Sequence, residues 1–187
     1  SQASDNIKSL YRRLLRPDLQ ILDLMSSWQS HLPDTLKVRS LVGLGMNESE
    51  LQHNSRLHDY LIHDLNQESR LPFAERSFEA VICNLSIEYL ARPLEVFQEV
   101  ARVLKPGGLF VQTFSNRWFP PKVIKVWPEL HEFERQGLVL EYFLRSGAFT
   151  NLKTYSARGW PRPADDRHFS ETKFSDPIFA VWGQTRG

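Results

Sequence analysis

One cysteine, Cys83, stands in 187 residues. An intrachain disulfide is therefore impossible and a reducing, cytoplasmic location is expected. No apolar run reaches the roughly 20 residues that cross a bilayer, and residues 1–16 lack the apolar core of a secretory signal. Charge of either sign is scarce in excess: 23 Lys and Arg face 22 Asp and Glu, a formal net of +1. A polyanion would need a local basic patch, so no nucleic-acid partner is indicated. There is no G-x-x-x-x-G-K-[ST] phosphate loop and no second histidine four residues after His131 to complete a zinc-binding helix. Asn84-Leu85-Ser86-Ile87-Glu88 lacks the glycines of a hydrolase elbow around Ser86. The remaining histidines are scattered, and no metal site is expected.

The hydrophobic fraction of 41% and charged fraction of 24% are ordinary for a globular domain, and the length suits one domain over residues 1–187. Ile7, Leu10, Tyr11, Leu14 and Leu15 recur at helical spacing, opposite Lys8, Arg12, Arg13 and Arg16. This predicts a helix within residues 1–16, capped by Asp5 and ended by Pro17, packing on a sheet edge in preference to a membrane surface. Strands are expected over residues 19–24, 40–44, 60–62, 78–83 and 109–114. A helix starts at Pro93 with Leu94, Phe97, Val100, Ala101 and Leu104 on one face, and Pro106-Gly107-Gly108 turns the chain after it. Strands alternating with helices imply a parallel sheet with right-handed crossovers. Past residue 116 the rhythm breaks. Residues 117–127 read as an aromatic, basic lid, or as a cover burying Trp118, Phe119, Val123, Ile124 and Trp127. A helix over residues 132–145, a polar loop over 158–175 and strands at 152–155 and 178–182 complete the chain.

In an open α/β sheet, ligands bind at the carboxyl ends of the strands, where strand order reverses. That rule selects the loops Met25-Ser26-Ser27-Trp28, Gly45-Met46-Asn47, His63-Asp64-Leu65-Asn66 and Asn84-Leu85-Ser86. They hold no Lys or Arg for phosphates, so a cofactor without phosphates suits them best. Cys83, ending an apolar strand, reads as a small core residue.

Asp64, Leu71-Pro72-Phe73, Ser77-Phe78-Glu79, Val81 and Arg102-Val103-Leu104-Lys105-Pro106-Gly107-Gly108 together resemble the class I S-adenosylmethionine-dependent methyltransferases, the type 11-like group related to quinone-biosynthesis enzymes. The similarity covers about residues 19–116. The resemblance implies a Rossmann-like α/β fold: a seven-stranded, mostly parallel sheet flanked by helices, with an antiparallel C-terminal strand. It also implies S-adenosylmethionine as cofactor. By position, Asp23 lies beside the methionine moiety, Met46 packs on adenine, Asp64 accepts from the adenine amino group with Leu65 beside the ring, and Asn84, Leu85 and Ser86 frame the methyl group.

Two departures from the family pattern stand out. The usual glycine loop is replaced by Met25, Ser26, Ser27 and Trp28, with no glycine to take φ > 0 freely; the two serine hydroxyls are candidates for the cofactor's carboxylate or ribose. The acid that normally holds the ribose is replaced by Gly45, leaving Asn47, Glu48 or Glu50 as substitutes. Tyr89, His31, Asn116 and Arg117 are candidate acceptor-side groups. The expected function is methyl transfer to a small or medium-sized acceptor. The alternative is a degenerate methyltransferase fold that binds a ligand or partner without turnover.

Overall fold

The structure is a computed structural model that describes residues 1–186. Seven strands, β1 (Gln20–Leu24), β2 (Ser40–Gly45), β3 (Asp59–Ile62), β4 (Phe78–Asn84), β5 (Leu104–Ser115), β6 (Phe149–Ala157) and β7 (Ile178–Thr185), form one sheet in the order β3-β2-β1-β4-β5-β7-β6. Only β7 runs antiparallel to its neighbours, β5 and β6. The inner parallel strands read as near-continuous apolar runs because both of their faces are covered.

On one face α3 (Pro93–Val103) and α4 (Glu132–Ser146) bury an aromatic cluster. Phe97 meets Phe110 and Phe143 edge-on at ring-centroid distances of 4.9 and 4.8 Å. On the other, α1 (Gln2–Leu14) buries Ile7, Leu10 and Tyr11, with Ile7 and Tyr11 packed in one cluster with Leu32, Leu41 and Ile82. The apolar stripe of α1 is thus buried against the sheet, on the face of its central strands and not at the expected edge, each large side chain contributing about 1.5–3 kcal/mol. Its N-cap is Ser1, whose hydroxyl accepts from Ser4 N–H, while Asp5 falls within the first turn. No helix among the described residues is long and apolar enough to cross a membrane.

The expected alternation of strands and helices holds only in part. Residues 25–39, between β1 and β2, are irregular, and α2 (Glu48–His53) is the only helix between β2 and β3. Residues 25–39 are pinned from outside: Arg56 Nη2 donates to Leu36 O at 3.0 Å, and Asp18 N–H to Lys37 O at 2.9 Å. The strand β5 also starts earlier than expected. It continues from Leu104 through Pro106-Gly107-Gly108, with a register shift opposite Phe78/Ala80. Gly107 has φ 72° and a Cβ at Gly108 would lie 2.8 Å from Lys105 O, so this pair makes a bulge instead of a clean turn.

Candidate active site

From β1 the chain goes to β2 and β3 on one side and returns to β4 and β5 on the other. The switch point therefore lies between the carboxyl ends of β1 and β4. Asp23 sits there, 2% exposed. Its Oδ2 accepts from Ser26 Oγ at 2.7 Å and Ser30 Oγ at 2.6 Å. Burial pushes its pKa up to about 6, against the pull of the two hydroxyls. Asn54 Nδ2 braces the same loop by donating to Ser30 Oγ (3.0 Å) and Ser27 O (2.9 Å). The Ser26 hydroxyl is thus committed to Asp23 and is not the free ligand-binding group expected from sequence.

Two structural facts explain the departures from the family pattern. Met25 adopts φ 56°, the left-handed conformation a glycine would take freely, at a cost of about 1–2 kcal/mol. The loop then folds back over β2, where Ser26 N–H donates to Leu44 O at 2.8 Å. A Cβ at Gly45 would lie 2.5 Å from Ser26 O. Any acid at position 45 would collide with that backbone, so the altered loop and the missing acid are one feature.

The other loops close around the same space. Asn47 caps α2, accepting from Glu50 N–H and donating to Glu50 Oε1 at 3.1 Å. Asp64 Oδ1 accepts from Asn66 N–H at 2.9 Å, fixing a tight turn. Leu65 is buried in the core on the α3/α4 face, although it also borders the cleft. Asn84 Oδ1 accepts from Tyr11 Oη (2.6 Å) and Thr113 Oγ1 (2.9 Å), while its Nδ2 donates to Ser30 O (3.1 Å). Its amide is therefore a brace joining α1, β4, β5 and the β1 loop. Ser86 Oγ donates to Asn84 O. Met25, His31 and Leu85 are all left-handed, at φ 56°, 55° and 56°.

Nine of the twelve expected residues (Met25, Ser26, Ser27, Gly45, Met46, Asn47, Asp64, Leu65 and Ser86) border a cleft of about 920 Å³. The other three, Asp23, Asn84 and Leu85, border an adjoining cavity of about 270 Å³ that shares Met25, Ser26, Ser27 and Ser86 as walls. Trp28 stands half out of this second cavity against His53, with ring centroids 5.5 Å apart, and does not fill the larger cleft. Of the acceptor-side candidates, Tyr89 borders the cleft and His31 the smaller cavity. His31 Nδ1 is bonded to Ser4 Oγ at 3.0 Å, and burial lowers its pKa to about 4, with help from the Lys8 charge. Asn116 and Arg117 are not among the lining residues. Arg117 instead pairs with Asp176 at 2.8 Å.

The segment after β5 covers the core and also borders the cleft. Trp127 is fully buried, and Trp118, Val123 and Ile124 pack on the core. Phe119, expected to be buried, is exposed and borders the cleft with Lys122. Phe119 N–H donates to Tyr89 Oη at 2.8 Å and Ile124 N–H to Glu88 O at 2.9 Å, which fastens the segment to the turn after β4. Glu88 itself is 2% exposed, and burial pushes it up to about 7. Ser4, Tyr11, Ser30 and Asn54 carry no local signal in the sequence. Ser4, Tyr11 and Asn54 become site residues through contacts across 24 to 73 positions, and Ser30 through its bond to Asp23 seven positions before it.

A family model described as a methyltransferase domain matches residues 31–112, beginning just beyond the altered loop. A malonyl-[acyl-carrier protein] O-methyltransferase from Marinomonas sp. is 38% identical over 58 residues, 31% of this chain and 22% of the relative. A demethylmenaquinone methyltransferase from Renibacterium salmoninarum is 42% identical over 52 residues, 27% of this chain and 22% of the relative. The matched stretch thus spans about a fifth of the length of each of these relatives. Among solved structures, an S-adenosylmethionine-dependent methyltransferase from Mesorhizobium loti superimposes with a TM-score of 0.61 at 17% identity, covering 94% of this chain and 96% of that one. Over residues 31–112 the sequence is thus similar to a methyltransferase domain, and the fold is the Rossmann-like fold of the class I methyltransferases.

Proposed function

We propose that the protein transfers a methyl group from S-adenosylmethionine to a small or medium-sized acceptor. The observation that carries this reading is the 920 Å³ cleft at the switch point, bordered by small residues and by the carboxylates of Glu48, Glu50 and Asp64. That lining offers acceptors for a nucleoside's amino and hydroxyl groups and, with Lys122 as its one Lys or Arg, no cation cluster for phosphates. When bound, the cofactor supplies an electrophilic methyl group on a good leaving group.

The chain's own work is then alignment and exclusion of water. In this reading Asp64 holds the adenine edge, with Met46 and Leu65 as apolar walls. Asp23, Ser26, Ser27 and Ser86 mark the junction of the two cavities, where the methionine end would lie. The brace at Asn84 keeps β1, β4 and α1 in register around that junction. Phe119 and Lys122, held through Tyr89, screen the mouth. The acceptor is a small molecule reaching the junction, and a cytoplasmic location follows the single reduced cysteine.

A second reading, ligand binding without turnover, is favoured by one observation: the β1 loop backbone lies directly over the end of β2 at Gly45. Thermal-shift titration separates cofactor binding from its absence. Ligand at a hundred times its Kd adds about 2.7 kcal/mol of stability, which raises the Tm by roughly 5–10 °C for a domain of this size. An unchanged Tm with millimolar S-adenosylmethionine and S-adenosylhomocysteine would remove the methyltransferase reading. Binding of both without methyl consumption across acceptor mixtures would favour the second.

A further inference from the structure

The cavity of about 270 Å³ beside the main cleft is walled by strained backbone. Among the described residues six non-glycine residues have a left-handed φ, and three of them, Met25, His31 and Leu85, border this cavity. Such conformations persist only where the surroundings over-determine them, and they cluster at active sites and ligand clamps.

His31 is over-determined from three elements. Ser4 of α1 holds its Nδ1 at 3.0 Å. The preceding Ser30 donates its hydroxyl to Asp23 in β1 at 2.6 Å, and its carbonyl accepts from Asn84 Nδ2 at the end of β4 at 3.1 Å. The other ring nitrogen, Nε2, has no partner among the described residues and is not sealed from solvent. Asp23 shows the same pattern. Its Oδ2 takes both serine hydroxyls, whereas Oδ1 has no partner among the described residues and stays reachable, although the residue is 2% exposed.

The chemistry left for a ligand is narrow. The Asn84 amide is spent on Tyr11, Thr113 and Ser30. No Lys or Arg borders the cavity, so an anion has no countercharge there. Two acceptors held in place, the His31 nitrogen and the Asp23 oxygen, call for a ligand that donates protons. Burial and the Lys8 charge keep the His31 ring neutral near pH 7, which leaves it able to take a proton. Met25, Trp28 and Leu85 add apolar wall. A cavity of about 150 Å³ takes benzene, so this one has room for a single substituted ring or a molecule of that size.

We propose that this cavity receives the methyl acceptor and that His31 Nε2 takes the proton from the acceptor's nucleophilic atom. Ser4 positions the ring by accepting from Nδ1–H. The acceptor is then a compact, uncharged molecule bearing an O–H or N–H group. This deepens the methyl transfer proposed above and rests on it. The acceptor's lone pair forms the bond to the methyl carbon while the carbon–sulfur bond breaks and its electron pair stays on sulfur. The acceptor's proton passes to Nε2 and then from the imidazolium to solvent. One positive charge moves from the sulfonium to the imidazole, so the net charge of the site is unchanged during the step.

Long-range proton–nitrogen NMR of the imidazoles in the full chain reads the tautomer, and phenol serves as the probe ligand. His31 should be in the Nδ1–H form, and phenol should shift its Nε2 resonance saturably. Anisole, which lacks the donor, and benzoate, which is anionic, should leave that resonance in place. Asparagine tolerates left-handed backbone, so His31→Asn should fold and still bind S-adenosylhomocysteine, while binding phenol roughly fivefold more weakly. With S-adenosylmethionine the wild type should convert phenol to anisole, and His31→Asn should do so roughly a hundredfold more slowly. Ser4→Ala should mix the two His31 tautomers and leave the other five imidazoles unmoved. An Nε2–H tautomer in the wild type, no phenol shift, or equal turnover in His31→Asn overturns the proposal. Wild-type protein that binds S-adenosylhomocysteine but not phenol sinks this proposal alone. Protein that binds phenol at His31 but no S-adenosylhomocysteine keeps the cavity as a ligand site and strikes out the methyl-transfer reading.

Discussion

Replacing Gly45 with alanine tests whether the β1 loop is seated on β2. The new Cβ would lie 2.5 Å from Ser26 O, a backbone atom that cannot swing aside as a side chain can. Relief requires lifting the loop, which breaks the 2.8 Å bond from Ser26 N–H to Leu44 O. Overpacking costs about 1–3 kcal/mol and the lost hydrogen bond about 1 kcal/mol. The lower backbone entropy of unfolded alanine offsets about 0.4–1 kcal/mol. The net is a loss of about 1–3.6 kcal/mol, read as a Tm roughly 2–14 °C lower for a domain of this size. Gly43→Ala is the matched control, because its Cβ would meet the Leu57 methyl group at 2.6 Å, the far end of a flexible side chain. Urea denaturation and differential scanning fluorimetry on both variants decide the matter. Gly45→Ala melting with the wild type, or above Gly43→Ala, would refute the seating of the loop and with it the link between the two departures from the family pattern.

Further predictions concern pH, helix propensity and the brace at Asn84. Glu88 is raised to about 7 from an ordinary 4.5, so the folded state holds its proton more tightly and stability falls as pH climbs from about 4.5 to 7. Asp23, raised to about 6, contributes in the same direction between about 4 and 6, whereas His31, lowered to about 4, adds stability as pH rises from about 4 to 6.5. Between pH 6.5 and 7, then, Glu88 dominates, and urea midpoints of Glu88→Gln should lack the decline expected of the wild type; parallel curves would contradict this. Gly137, inside α4, has open space where a Cβ would stand, so Gly137→Ala should stabilise by about 0.5–1 kcal/mol in the same denaturation assay. Tyr11→Phe removes the 2.6 Å bond to Asn84 and should cost about 0.5–1.5 kcal/mol, measured by urea unfolding; no loss would mean that Asn84 is held without α1.

The parts of the fold that were legible in the chain are those fixed by local patterning. The strands β1, β2 and β4 are apolar runs bounded by polar loops, and α3 announces itself with Pro93 and an apolar stripe. The loops at the carboxyl ends of the parallel strands follow from topology alone and supply eleven of the twelve expected residues, Asp23 coming from the family resemblance; all twelve border one of two adjoining cavities. What was hidden depends on contacts distant in sequence. Residues 25–39 lack a helix because Arg56 and Asp18 bind their backbone, and neither carries a local mark of that role. The Ser26 hydroxyl looks free in the sequence, yet the buried Asp23 claims it. Phe119 reads as core on composition, but its segment is fastened by its backbone to Tyr89, which leaves the ring outside.

The most direct test of the central claim is calorimetric titration of S-adenosylhomocysteine into the wild type and Asp64→Ala. The account predicts saturable one-site binding to the wild type, weakened roughly ten- to hundredfold by the loss of a charge-assisted hydrogen bond in Asp64→Ala. The surface variant Arg145→Ala, at an exposed ion pair on α4, should bind as the wild type does. Equal affinity in Asp64→Ala would contradict the placement of the cofactor, and no heat from the wild type at millimolar ligand would contradict the function itself.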